Sequence, residues 1–157
     1  MSIQPAAELL AGLEPEDAAR VMALGASVSL GAGQVLFELG AEAESLYAIE
    51  RGRIVLSLPL RVAGKDEHVL IEERQAGQAL GWSALIPPHR FTLRATAPLD
   101  TVVTVWPRAA LLEHFAQAPA VGYIVMRNVA RVTGHRLHLF QAMWLREMQR
   151  TVALNLT

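Results

Sequence analysis

The sequence predicts a mainly β domain, a sandwich or barrel with helices at both ends, and three observations point to it. Between residues 26 and 106, short β-branched or alternating runs are separated by Gly31, Gly33, Gly40, Gly52, Gly64, Gly77 and Gly81, the pattern of an all-β unit. On either side, apolar residues fall at helical spacing instead. The length of 157 residues is room for one well-packed core and too little for two. We therefore read a single domain over 1–157, with helices in 1–25, a β-roll in 26–106 and helices in 107–150.

Residues 6–24 carry Leu9, Leu10, Leu13, Ala18, Val21, Met22 and Leu24 at helical spacings, interrupted at Glu14-Pro15, so two short helices are expected. Strands follow at 26–30, 35–38, 45–49, 53–62, 68–73, 92–97 and 101–106, with a further short piece near 78–80. Strands this short and numerous imply a sandwich or barrel. Glu50-Arg51-Gly52-Arg53 and Ala63-Gly64-Lys65-Asp66 have the chemistry of tight turns, the second joining two alternating runs as a hairpin. Pro107 suits the first position of a helix over 108–115. Pro119 precedes a longer helix from Ala120 to about Arg150, roughly 45 Å at 1.5 Å per residue. Its apolar residues form two stripes: Val125, Val129, Val132, Leu139 and Met143 on one, Leu137, Phe140, Trp144 and Met148 on the next. The first can pack on the β-roll while the second pairs with another copy of the chain.

Composition narrows the function. With 14 basic against 15 acidic side chains and a net charge of −1, no global field collects polyanions, so bulk nucleic-acid binding is disfavoured. The absence of cysteine excludes a disulfide framework, a thiolate nucleophile and cysteine-ligated metal. The N-terminus lacks a basic segment and acidic residues interrupt its apolar stretch, so neither a signal peptide nor a membrane span is expected, and the cytoplasm is the expected compartment.

The glycines sit in three segments: Gly33-Gln-Val-Leu-Phe-Glu-Leu-Gly40, Ser45-Leu-Tyr-Ala-Ile-Glu-Arg-Gly52-Arg-Ile-Val-Leu, and Ala76-Gly77-Gln-Ala-Leu-Gly81-Trp-Ser-Ala84-Leu85. In order and approximate spacing they resemble the cyclic nucleotide-binding domain family, the sensory module of catabolite-activator-type regulators, cyclic-nucleotide-dependent kinases and gated channels. The resemblance covers nearly the whole chain. It implies an eight-stranded jelly roll, an N-terminal helical segment, a C-terminal helix pair that often forms the dimer interface, and cyclic AMP or cyclic GMP as ligand.

Residues 81–97 resemble the family's phosphate-binding cassette. The resemblance implies that the chain after Gly81 turns into a short helix whose amides near Ser83, Ala84 and Leu85 face an anion, with an arginine from the next loop clamping it. Two departures stand out. Trp82 occupies the place of the family's glutamate, which accepts a hydrogen bond from the ribose 2′-hydroxyl, and no carboxylate lies between Glu73 and Asp100. Without that bond, ribose binding loses about 1.5–3 kcal/mol unless another contact replaces it. Where the family has arginine, a small residue and alanine, this chain reads His89-Arg90-Phe91-Thr92. Counting back from Ala95 puts the clamp on His89, and a one-residue deletion in the loop returns it to Arg90. We prefer Arg90, because a permanent charge suits a phosphate. Arg94 either shares that face or meets solvent. Trp82 has two readings, stacking on a base or sugar or, with Phe91, plugging the pocket. The long helix supplies the family's lid, for which Arg136, His138, Phe140 and Gln141 are candidates, with Phe140 also suiting a helix–helix seam.

Nothing in the sequence converges on catalysis. The histidines His68, His89, His114, His135 and His138 are scattered and lack the accompanying glutamate of a jelly-roll metal site, and no hydrolase or phosphate-loop motif is present. A helix-turn-helix does not fit after the long helix, so no DNA contact is expected. The reading is a stand-alone sensor that binds a cyclic nucleotide or another phosphate-bearing molecule, moves its C-terminal helices and reports to a protein effector, as a homodimer through the 120–150 helix. The alternative is a degenerate jelly roll that binds no nucleotide and serves as a dimeric interaction module.

Overall fold

The alternating segments pair into two four-stranded antiparallel sheets in a computed structural model that describes residues 6–156. The strands are Ala26–Leu30 (β1), Val35–Phe37 (β2), Ser45–Arg51 (β3), Arg53–Val62 (β4), Lys65–Gln75 (β5), Ala79–Leu80 (β6), Arg94–Thr96 (β7) and Thr101–Pro107 (β8). One sheet runs β1-β8-β3-β6 and the other β2-β7-β4-β5, a jelly-roll arrangement. Because side chains alternate across a strand, Leu46 and Ala48 of β3, Ile54 and Leu56 of β4, Ala95 of β7 and Val103 of β8 all enter one core. The β4–β5 hairpin turns at Ala63 and Gly64, both at positive φ (51° and 78°), the conformation that matches the twist of the flanking strands.

The helices are Ala7–Leu10 (α1), Pro15–Ala23 (α2), Arg108–Gln117 (α3) and Pro119–Asn155 (α4). Trp106 is fully buried, and its indole Nε1–H donates to the Val21 carbonyl at 2.8 Å, fastening α2 to β8. Asn128 of α4 donates to the carbonyls of Leu9 and Ala11 at 2.7 and 2.8 Å. Those carbonyls lie at the end of α1, where a helix leaves acceptors without partners, so α4 completes α1.

Several boundaries differ from the sequence reading. Pro107 ends β8 and precedes α3 rather than opening it. The strand expected over 92–97 contracts to Arg94–Thr96, because Phe91 pairs instead with the loop before β3, donating to the Ala41 carbonyl at 3.0 Å and accepting from the Gly40 amide at 2.8 Å. The long helix extends past 150 to 37 residues, about 55 Å. Its first stripe divides: Val125, Val129 and Val132 are buried, while Leu139 and Met143 are half-buried. Phe140, assigned to the outward stripe, is half-buried against the core, whereas Leu137, Trp144 and Met148 are exposed as expected.

Candidate functional site

Gly81 starts the cassette in the left-handed region at φ 78°, and a Cβ there would meet the Tyr47 ring at 2.9 Å, so both dihedral and space require glycine. Trp82–Ala84 then form one 3₁₀ turn. Its amides correct the first expectation. Ala84 and Leu85 donate to the carbonyls of Gly81 and Trp82 within the turn, both at 3.0 Å, so neither amide is free to meet an anion. Both residues are buried and lie outside the cavity lining.

The turn faces a cavity lined by Phe37, Leu56, Gly81, Trp82, Ser83, Phe91, Thr92, Leu93 and Arg136. The structure thus brings together Gly81, Trp82, Ser83, Phe91, Thr92 and, from α4, Arg136. The cavity measures about 10 Å³, whereas a single water needs roughly 10–15 Å³. Phe91 fills the space: its ring stacks on Phe37 with centroids 3.7 Å apart and planes within 7°, and Tyr47 flanks the pair at 5.8 and 6.4 Å. Burial pushes the Tyr47 hydroxyl above its ordinary range, because a phenolate loses hydration there.

Arg90 lies elsewhere. With Phe91 pointing inward, its neighbour points out: Arg90 is exposed, its Nη1 donates to the Gly40 carbonyl at 3.3 Å, and it does not line the cavity. His89 also lies off the cavity, its ring Nδ1 3.2 Å from the Ser83 carbonyl, closing the loop that carries the cis Pro87–Pro88 bond. Arg94 pairs with Glu38 at 3.3 Å and meets His68 at 3.0 Å. Among the lid candidates, His138 and Gln141 are exposed and Phe140 is half-buried, all three outside the lining, while Arg136 is buried within it.

Sequence reading missed the charges behind Arg136. Its Nε donates to Glu72 Oε2 at 2.8 Å, and Glu72 Oε1 accepts from Arg74 Nη1 at 2.9 Å. Arg74 also donates to the Ala79 carbonyl through Nε and Nη2, at 3.0 and 2.8 Å, and pairs with Glu8, whose carboxylate takes the Ala79 amide at 2.7 Å. Two arginines and two glutamates balance, as buried charges must. They join α1, β5, β6 and α4. Burial lowers the Arg136 pKa while the Glu72 charge opposes that shift. The signal available was the Glu72-Glu73-Arg74 alternation, which turns Glu72 and Arg74 to the same side of β5.

Among the described residues, no three or more histidine, aspartate or glutamate side chains group to hold a metal, and no helix is long and apolar enough to cross a membrane.

A jelly roll with a glycine-led turn against a long terminal helix defines a regulatory class of fold. The chain belongs to the cyclic nucleotide-binding domain family, whose pattern matches residues 27–118. No curated protein matches the chain closely enough to count as a relative. Solved structures do. The N-terminal domain of a transcriptional regulator from Streptomyces coelicolor superposes with a TM-score of 0.68 at 23% identity, covering 82% of this chain and 89% of that one. A Geobacter metallireducens protein assigned to cyclic nucleotide binding gives 0.67 at 25% identity, over 83% and 92%. The catabolite activator protein of Thermus thermophilus gives 0.73 at 20% identity, over 90% of this chain and 63% of that longer one.

Proposed function

We propose that this chain is a non-catalytic sensor module that takes cyclic AMP or cyclic GMP into the cassette cavity and passes the event through α4 to a protein effector in the cytoplasm. One observation carries the reading. The cavity has the cassette on one side and Arg136 of α4 on another, so a ligand there touches the output helix without an intermediary. Such a ligand moves the helix to the extent that it binds one arrangement more tightly than the other. The contact surface is Gly81, Trp82, Ser83, Phe91 and Thr92. At about 10 Å³ the cavity must widen to admit a ligand, and its less buried walls are the exposed Thr92 and the half-buried Trp82. The exposed Leu137, Trp144 and Met148 support pairing of two copies along α4.

The Phe37–Phe91 stack favours a second reading, a filled jelly roll that binds no nucleotide and acts as a dimeric interaction module. Isothermal titration of the full chain with cyclic AMP and cyclic GMP, repeated on Trp82→Ala, separates the two. The sensor reading expects saturable micromolar binding by the native chain. If Trp82 stacks on the ligand, Trp82→Ala weakens it, and if Trp82 is a gate, Trp82→Ala tightens it. Silence from both proteins with both nucleotides overturns the sensor reading and leaves the module.

A further inference from the structure

The charge in the cavity comes from a different element than the cassette. Of the lining residues, Arg136 alone is ionisable at neutral pH, and no carboxylate reaches the space. Arg136 is 7% exposed. A guanidinium carries five N–H donors, yet the one hydrogen bond it makes among the described residues is from Nε to Glu72. Both Nη groups are left over on a side chain that is more than nine-tenths buried and lines the cavity. Neither Nη is a buried orphan, since the buried unpartnered side-chain atoms among the described residues are Arg94 Nε, His114 Nε2 and Asn128 Oδ1; the Nη donors keep accessible surface and are open to an acceptor that the protein does not supply.

Resting on the sensor reading, we propose that Arg136 is the anion anchor of this cavity and that an anionic ligand, a phosphodiester or phosphate, binds by taking Arg136 from Glu72. The exchange is feasible because Glu72 is shared. Its other oxygen stays bonded to Arg74 Nη1 at 2.9 Å, and Arg74 keeps Glu8 and the Ala79 carbonyl. Releasing Arg136 therefore leaves no isolated buried carboxylate, the situation that makes breaking most buried ion pairs expensive. Arg136 is also the last buried residue of α4. Two residues before it Gly134 has open space around the Cβ position, and glycine weakens a helix interior. Moving Arg136 from β5 toward the cassette therefore shifts the helix where it leaves the β-roll. The anchor is thus a binding group and the link to the helix at once, a role that Arg90, exposed and bonded to Gly40, does not have.

The test compares the native chain with Arg136→Gln, Arg136→Lys, Arg90→Ala and Glu72→Gln, each checked for native melting, using cyclic AMP, cyclic GMP and inorganic phosphate as probes. We expect Arg136→Gln to weaken nucleotide binding at least tenfold, Arg136→Lys to recover part of it, Arg90→Ala to change it less than threefold, and Glu72→Gln, which frees Arg136, to tighten it. Nucleotide binding that survives Arg136→Gln but is lost in Arg90→Ala overturns the anchor while the sensor reading stands. Phosphate binding to Glu72→Gln that disappears in the double variant with Arg136→Gln supports the anchor even where neither nucleotide binds and the sensor reading has failed. No binding of any probe to any of these proteins overturns both.

Discussion

The two halves of α4 share one helix and little else. From Val121 to Arg136 it buries Val121, Gly122, Val125, Asn128, Val129, Val132 and Arg136, and two hydrogen bonds from Asn128 tie it to α1. Beyond Arg136 no side chain among the described residues is buried, and Leu137, Trp144, Leu145, Met148 and Val152 lie open at 42–66% exposure. The first half obtains its stability from tertiary packing, as most protein helices do. The second packs only Leu139, Phe140 and Met143 against the core, each half-buried, and its exposed apolar surface is of the kind that marks an interaction site. Both halves are apolar at helical spacing, so periodicity identifies a helix without saying which turns the molecule itself covers.

Substitutions can break or sharpen this contrast. The largest expected effect is Val125→Asp in the first half, where an unpaired carboxylate replaces a fully buried side chain. It should remove more than about 4 kcal/mol of stability, measured by urea unfolding. Asn128→Ala leaves the Leu9 and Ala11 carbonyls without their donor and should cost about 2 kcal/mol. Accelerated amide exchange in α1, with the strands unaffected, is the local signature to look for. At the junction, Gly134→Ala meets nothing within 4 Å and should stabilise the chain by about 1 kcal/mol, while reducing any response of the helix to ligand. In the second half, Trp144→Asp touches no buried contact and should change monomer stability by at most about 0.5 kcal/mol. On the proposed pairing of two copies along α4, its effect belongs in sedimentation, as a shift toward monomer. A stability loss comparable to that of Val125→Asp would erase the distinction between the halves.

The β-roll was legible because its information is local. Alternation and glycine placement define β4, β5 and the Ala63-Gly64 turn between them without reference to distant residues. The site was less legible for two reasons. Residues 86–93 have no period, so whether Arg90 or Phe91 points inward depends on a one-residue register, set here by the pairing of Phe91 with Gly40 and Ala41. Arg136 meets Glu72 from 64 positions away, and neither residue announces the other in sequence. The place of Arg136 along the helix marks it as a candidate, but not as the charged wall of the cavity. Phe140 was misassigned for a related reason: a stripe drawn at ideal spacing does not know where the β-roll ends beneath it.

The placement of the tryptophans has an optical consequence. The chain has 3, and each occupies a different environment: Trp106 sealed in the core, Trp82 at the cavity wall and Trp144 on the open half of α4. Indole emission reports polarity, so the native chain carries a blue-shifted, quencher-resistant emitter, a red-shifted, accessible one, and one whose colour follows the cavity. Replacing any two with phenylalanine turns the remaining ring into a reporter of core integrity, cavity opening or helix pairing, with no label attached.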